Sequence, residues 1–345
     1  MSSTTNLGSS SLPAEGARTR PLLSVVIVTW NVRDLLRACL HSLIEDDIRV
    51  WAEVFVVDSA SSDGSAEMVR AEFPWVHLIA SDVNLGFSRG NNRALHLAEG
   101  DFVLLLNPDT LVHRGALRAM VDFAQSHPSV GVVGPKQYSG NGNIQYEGAV
   151  DFPNIWNVLC DWTRLSLIFP KSKLFCGRKM GYWSHDNDRE VPAVPGSAML
   201  LSAKVLETVG LLDETMFLIE DMDLCRRVRN AGWSVYYLGS ASIVHFGGES
   251  LKRDGNPSRQ LQIAFQSFWL YLRKHRGRGS AAAMSFTMFV WSLCAVTAAS
   301  ALALVRSSAG IERWRQIAFG LMRWTLTNKK RFRHHLASAP GDVKA

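Results

Sequence analysis

The chain has 345 residues, 47% of them hydrophobic and 20% charged, a balance that excludes a disordered protein and allows one large or two ordinary domains. Its net charge of +6 is uneven: residues 252–345 hold 16 Lys/Arg against 3 Asp/Glu, a net of +13, while residues 1–251 hold 21 against 28, a net of −7. An acidic body with a basic tail points to an anionic partner for the tail, either nucleic acid or anionic lipid.

Residues 1–20 are rich in Ser, Thr and Gly with no apolar core, which predicts a disordered arm and not a signal peptide. Leu22–Thr29 (LLSVVIVT) reads as a first buried strand, followed by a helical spacing of apolar residues from Asp34 to Ile44. Val54–Val57 is a second strand ending at Asp58, and Ser62-Asp63-Gly64-Ser65 turns into a helix through Glu72. Val76–Ala80 is a third strand, a helix is expected over about Gly90–Ala98, and Phe102–Leu106 is a fourth strand. Strands alternating with helices predict an α/β fold with a doubly wound, mostly parallel sheet. Ligands bind such sheets at the C-terminal strand ends, and three consecutive ends carry polar residues: Thr29-Trp30-Asn31, Asp58 and Asn107-Pro108-Asp109. Pro108 stops its strand and presents Asp109, a hard oxygen ligand suited to Mg²⁺ or Mn²⁺. The same three residues are also good turn chemistry.

Residues 136–192 are loop-rich, an elaboration over one face of the sheet. Val194–Ser202 returns to regular structure, residues 203–210 and 221–231 read as helices, Trp233–Leu238 as a last strand and Ile243–Ser250 as a glycine-containing loop. The five cysteines are scattered and form no C-x-x-C pair, which argues for a reducing compartment and against zinc. From Gly279 to Val305 there are 27 residues without a charge, where a membrane span needs about 20. Basic clusters flank both sides, so a single span would break the positive-inside rule. A segment that re-enters or lies in the interface avoids that conflict. Residues 311–326, with Trp314, Phe319 and Trp324 among Arg313, Arg315 and Arg323, suit a basic amphipathic helix at a lipid surface. A helical hairpin capping the domain would give the same pattern.

The series SVVIVTWN (24–31), VVDSASSDGS (56–65), NLGFSRGNN (84–92), LLLNPD (104–109), PGSAMLL (195–201), FLIEDMDLCRRVRNAGW (217–233) and VHFGGES (244–250) resembles the inverting, GT-A type family 2 glycosyltransferases. Within them it is most similar to the rhamnosyltransferase-like enzymes of bacterial cell-wall and O-antigen synthesis. The resemblance covers about residues 22–275, leaving 279–333 as a membrane-associated helical segment and 334–345 as a disordered tail. It implies a nucleotide-sugar site built from Thr29, Asn31, Asp58, Gly86, Arg89, Asn91, Asn107, Gly196 and Ser197. In that site Asp58 meets the nucleobase and Arg89 a phosphate. Asp109 matches the last residue of the family's D-x-D metal motif, with Asn107 in place of the first Asp, and His245 matches a histidine that completes the metal site. The E-D motif maps the general base to Asp221, with Glu220 orienting acceptor or base. Asp63 suits ordinary turn and N-cap chemistry, and Asp223 can complement a helix dipole or pair with Arg227 at i, i+4.

The expected activity is inverting transfer of one sugar, first of all L-rhamnose from dTDP-rhamnose, to a lipid-linked or cell-surface glycan. It would need a divalent cation and take place at the cytoplasmic face of the plasma membrane. Two alternatives are a sugar nucleotidyltransferase, though VTWNVRDLL lacks the G-x-G-x-R of that class, and a non-catalytic membrane scaffold, which intact Asp58, Asp109 and Asp221 disfavour. Nucleic-acid binding is disfavoured by the uncharged stretch inside the basic region.

Overall fold

The computed structural model describes residues 20–247, 257–305 and 308–327. The expected N-terminal arm and C-terminal tail, and the end of the VHFGGES motif, lie outside the described residues.

Nine strands form one sheet in the order β3-β2-β1-β4-β8-β6-β9-β5, with β7 (Arg189–Glu190) added on β9. The four strands read from the sequence, β1 (Leu23–Thr29), β2 (Ala52–Ser59), β3 (His77–Ser81) and β4 (Phe102–Leu106), make its wholly parallel half. Their connecting helices are α1 (Arg33–Glu45), α2 (Ser65–Glu72) and α3 (Gly86–Leu95). Strand residues alternate between two apolar layers, as the two-residue period requires. Val26, Val103 and Leu105 enter one core, while Val25, Ile27, Leu104 and Leu106 enter the core on the opposite face.

Beyond β4 the sheet is mixed. β8 (Ala198–Ser202) runs antiparallel to both β4 and β6 (Val130–Tyr138), and β6 is parallel to β9 (Ser234–His245). The final strand is therefore longer than the Trp233–Leu238 of the sequence reading. It runs through Gly239 to His245, taking in the first three residues of the loop expected at Ile243–Ser250, because β6 on one side and the short β5 (Thr110–Val112) on the other both pair with its distal half. A register shift after Pro135 lets β6 follow it. α4 (Ala116–Ser126) connects β5 to β6. The loop-rich insertion contains α5 (Ile155–Trp162) and the single turn α6 (Leu165–Ile168). α5 is started by a reciprocal cap between Asn154 and Asn157. α7 (Ala203–Val209) and α8 (Glu220–Asn230) follow β8.

The C-terminal part is α9 (Pro257–Val305), interrupted at Gly277, and α10 (Ala309–Thr327). Gly277 has φ 85°, ψ 175°, a left-handed conformation open to glycine. The chain reverses there. Trp162 lies 5.9 Å from Phe265 and 5.8 Å from Trp291, residues that a straight helix would hold about 39 Å apart. The inner faces of the three helical stretches, including Phe265, Tyr271, Met284, Met288, Ile317 and Leu321, belong to the same apolar core as one face of the sheet. The outer face of the second half carries an exposed stripe of Phe286, Val290, Leu293 and Leu304. The run Leu261–Leu304 is long and apolar enough to cross a membrane by length and composition.

Candidate active site

The parallel strand ends deliver their polar residues to one edge. Thr29 and Asp58 are register partners across β1 and β2. Both are buried, and Thr29 Oγ1 and Asp58 Oδ1 have no partner among the described residues. Buried polar atoms without partners are costly, so two adjacent ones at this edge mark a place for a polar ligand. The other Asp58 oxygen accepts from the Ser61 amide at 3.1 Å. Asn31 (φ 54°) serves the loops instead: its Oδ1 accepts from the Ser62 amide at 2.7 Å, tying the β1 and β2 turns together. Asp63 has the turn role expected of it, accepting from the Arg33 and Ser65 amides.

α3 begins at Gly86, four residues earlier than predicted, and Gly90 explains its closeness to the sheet: an added Cβ would lie 2.7 Å from Val28. The Asn91 amide is buried and donates to Phe87 O at 2.9 Å, within its own helix. Asn92 holds the Leu212 backbone from both sides, at 2.9 and 3.0 Å. Arg89 is 3.5 Å from Glu214 in the loop so held.

β5 brings the metal candidates together. Thr110 pairs in register with His245, which places His245 Nε2 3.4 Å from Asp109 Oδ1 and 3.3 Å from Asn107 Nδ2. Gln145, missed in the sequence, orients the ring. Its Oε1 lies 3.3 Å from His245 Nδ1, and its Nε2 donates to the His245 carbonyl at 2.7 Å. In the tautomer that carries its hydrogen on Nδ1, toward Gln145, the Nε2 lone pair faces Asp109, the arrangement by which an outer partner fixes a ligating histidine. Two donors on one side suit a divalent cation that completes its shell with substrate phosphates and water. Among the described residues no group of three or more His, Cys, Asp or Glu forms a closed cage.

Gly196 and Ser197 join this corner to the acidic motif. Gly196 N donates to Asp221 Oδ2 at 2.9 Å. Ser197 O accepts from Asn107 N at 3.0 Å and from Thr110 Oγ1 at 3.4 Å. Gln137, buried and also unforeseen, donates to Ser197 Oγ at 2.8 Å. A Cβ on Gly196 would lie 2.8 Å from Phe87, so α3, the 196 loop and α8 close on one another at that point.

Glu220 and Asp221 open α8 after its cap residue Ile219, which follows Leu218, whose φ is 74°. Burial, and then the neighbouring Asp221 charge, push Glu220 up to about 8, and its Oε2 is buried with no partner among the described residues. Desolvation by surrounding protein also raises Asp221, opposed by the amides of Gly196 and Met222. Asp223 behaves differently. Burial would raise it, but His275, Lys274 and Arg227 together bring it down to about 2. Its oxygens lie 2.7 Å from His275 Nε2, 2.8 Å from Lys274 Nζ and 2.9 Å from Arg227 Nε. The i, i+4 pair was legible in the sequence; the two partners from α9, some fifty positions away, left no local signal.

The family model described as "Glycosyltransferase like family 2" matches residues 20–262. Among curated proteins, the N-acetylglucosaminyl-diphospho-decaprenol L-rhamnosyltransferase of Mycobacterium tuberculosis is 28% identical over 309 residues, covering 86% of this chain and 97% of that protein. The low-salt glycan biosynthesis hexosyltransferase Agl10 of Haloferax volcanii is 24% identical over 233 residues, 65% of this chain and 66% of its own length. Among solved structures, a Pyrobaculum calidifontis mannosyltransferase in complex with GDP-Man and Mn²⁺ matches with a TM-score of 0.52 at 19% identity, over 91% of this chain and 89% of that one. That likeness shows the fold, the GT-A type expected from the sequence.

Proposed function

The chain belongs to the family 2 glycosyltransferases, and from that premise we propose that it transfers one sugar, with inversion, from a nucleotide-diphosphate donor to a lipid-linked glycan. L-Rhamnose from dTDP-rhamnose is the first donor to test. The Mycobacterium relative bears that sugar and a decaprenol-linked acceptor in its name and is matched over nearly its whole length. The observation that carries the reading is the pair Gly196-Ser197. One residue binds the candidate base and the next binds the strand end that bears Asp109. On this reading the 196–197 segment joins the side of the site that activates the acceptor to the side that holds the donor diphosphate.

Inversion requires a base that takes the acceptor hydroxyl proton as its oxygen attacks the anomeric carbon, while the nucleoside diphosphate leaves from the opposite face. Asp221 has that role, its carboxylate made more basic by desolvation and aimed by the Gly196 amide. Glu220, pushed up to about 8, keeps its proton at neutral pH, so the pair carries one negative charge and two distinct roles. Thr29 and Asp58 receive the donor's nucleoside. Asp109 and His245 would hold a divalent cation, which when bound neutralises charge on the departing diphosphate. The outer stripe of α9 and the basic α10 meet the membrane in which the acceptor is anchored, on its cytoplasmic face.

Thermal denaturation of the purified protein with Mn²⁺ and a panel of nucleotide sugars tests the donor. One nucleotide sugar should raise the melting temperature well above its free nucleoside diphosphate. Asp221→Asn should keep that stabilisation and lose at least about a hundredfold in turnover. A variant that turns over normally would move the base to another residue.

A further inference from the structure

We infer that the insertion between β6 and β7 carries a second lipid-binding surface, a rigid apolar platform at residues 156–175 that seats on an anionic phospholipid bilayer beside the C-terminal helices. The inference rests on the proposed membrane-anchored acceptor, and nothing in the sequence series above points to it. Leu167, Ile168 and Leu174 are 65%, 64% and 60% exposed, with Trp156 and Phe169 also open to solvent. A contiguous apolar surface of this kind is uncommon unless something covers it.

The surface is built and does not trail as a loose loop. Phe175 lies 6.1 Å from Trp156 and 5.1 Å from Phe169. Trp156 Nε1 donates to Leu174 O at 2.9 Å. The α6 turn is closed by the Leu167, Ile168 and Phe169 amides.

Charge selects the partner. Residues 155–179 contain Arg164, Lys171, Lys173, Arg178 and Lys179 against the single acid Asp161, and Asp161 is held by Arg178 at 2.5 Å. Lys171 and Lys173 thus rim an apolar patch with positive charge, the pattern of segments that lie in an anionic interface. Position agrees. Trp162, seven residues before Phe169, meets both halves of α9, and the Arg164 guanidinium sits 5.6 Å over the Trp314 ring of α10. The platform therefore adjoins the same helices whose outer stripe is exposed and apolar. An anionic bilayer suits both surfaces together with the basic residues beside the platform.

The test labels Ile168→Cys with an environment-sensitive fluorophore in a full-length Cys294→Ser background, since Cys294 is the one exposed cysteine among the described residues. A second label at Val50→Cys, exposed at the N-terminal edge of the parallel strands, is the control. Adding phosphatidylcholine vesicles with about one quarter phosphatidylglycerol should shift position 168 to the blue and leave position 50 unchanged, with a smaller shift at high salt. The double variant Leu167→Asp, Ile168→Asp should weaken vesicle partitioning at least about tenfold and leave its melting temperature and donor-induced stabilisation as they were. A probe at 168 that stays in water while the protein is vesicle-bound, or that shifts with protein concentration in the absence of lipid, overturns the inference. So does a chain that never binds the vesicles. Loss of donor stabilisation in the wild type would overturn the transferase reading alone, because the probe reports contact with lipid and not turnover.

Discussion

Glu220 and Asp221 are adjacent in sequence and differ in what their surroundings do to a charge. Glu220 has its ordinary value of 4.5 raised to about 8, so the folded state favours its protonated form. Its contribution to stability is present in full below pH 4.5 and is lost as pH rises through about 8. Melting curves between pH 5 and 9 (about the range bracketing the shift) should show a decline that Glu220→Gln removes. The same titration places a second negative charge beside Asp221 above pH 8, so the wild-type rate should depart from a single-base profile there. At the other corner, Asp109→Ala should weaken nucleoside diphosphate binding in the presence of Mn²⁺ without loss of fold, and His245→Ala should do so more mildly. Gln145→Ala tests the orientation of the imidazole and should cost about ten- to a hundredfold in metal affinity. Calorimetric titration of the three variants reads all of these, and an unchanged metal-dependent affinity would remove the metal assignment.

At the scale of elements, the parallel half of the fold was legible because three of its four strands are apolar-rich and buried on both faces, from Leu22 to Thr29, Val54 to Val57 and Phe102 to Leu106. Asp58 and Asp109 could be placed at strand ends for the same reason. In the mixed half only β8, inside Val194–Ser202, and the first half of β9 were legible. β5 has three residues, and β9 carries Gly239 and Ser240 at its centre, so neither shows an apolar period. Their pairing is set by neighbours far away in sequence, and it is the pairing of Thr110 with His245 that brings His245 to Asp109. Gln145 and Gln137 were illegible because a single Gln in a loop or strand has no spacing that points to a partner. The reversal at Gly277 left no signal of its own among the basic residues from Arg273 to Arg278. Gly277→Ala should reveal it: a side chain in that left-handed conformation costs about 1–2 kcal/mol, seen as a lower melting temperature. The same change at Gly279, which is helical, should be neutral or stabilising.

The molecule as a whole is held together between the sheet and the C-terminal helices by more than apolar contact. Met284, Met288, Ile317 and Leu321 continue the core of the sheet, so removal of residues 279–345 should lower stability along with any lipid contact. The buried Asp223 adds a polar rivet. It lies in α8, two residues after Asp221, and shares its charge among Arg227 of its own helix and Lys274 and His275 of α9. One buried carboxylate thus joins the two helices, so α8 and the first half of α9 move together. On the proposed reading, the base then stands at a set height above the lipid. The protein acts as a gauge, choosing acceptors by the length of the stalk between the bilayer and the reacting hydroxyl. Vesicle-embedded acceptors lengthened by one sugar should react at least about tenfold more slowly, while soluble analogues of the two lengths should react alike. Lys274→Ala with His275→Ala, by freeing the rivet, should narrow the gap between the two lengths in vesicles, and a gap that stays unchanged would show that the height is set elsewhere.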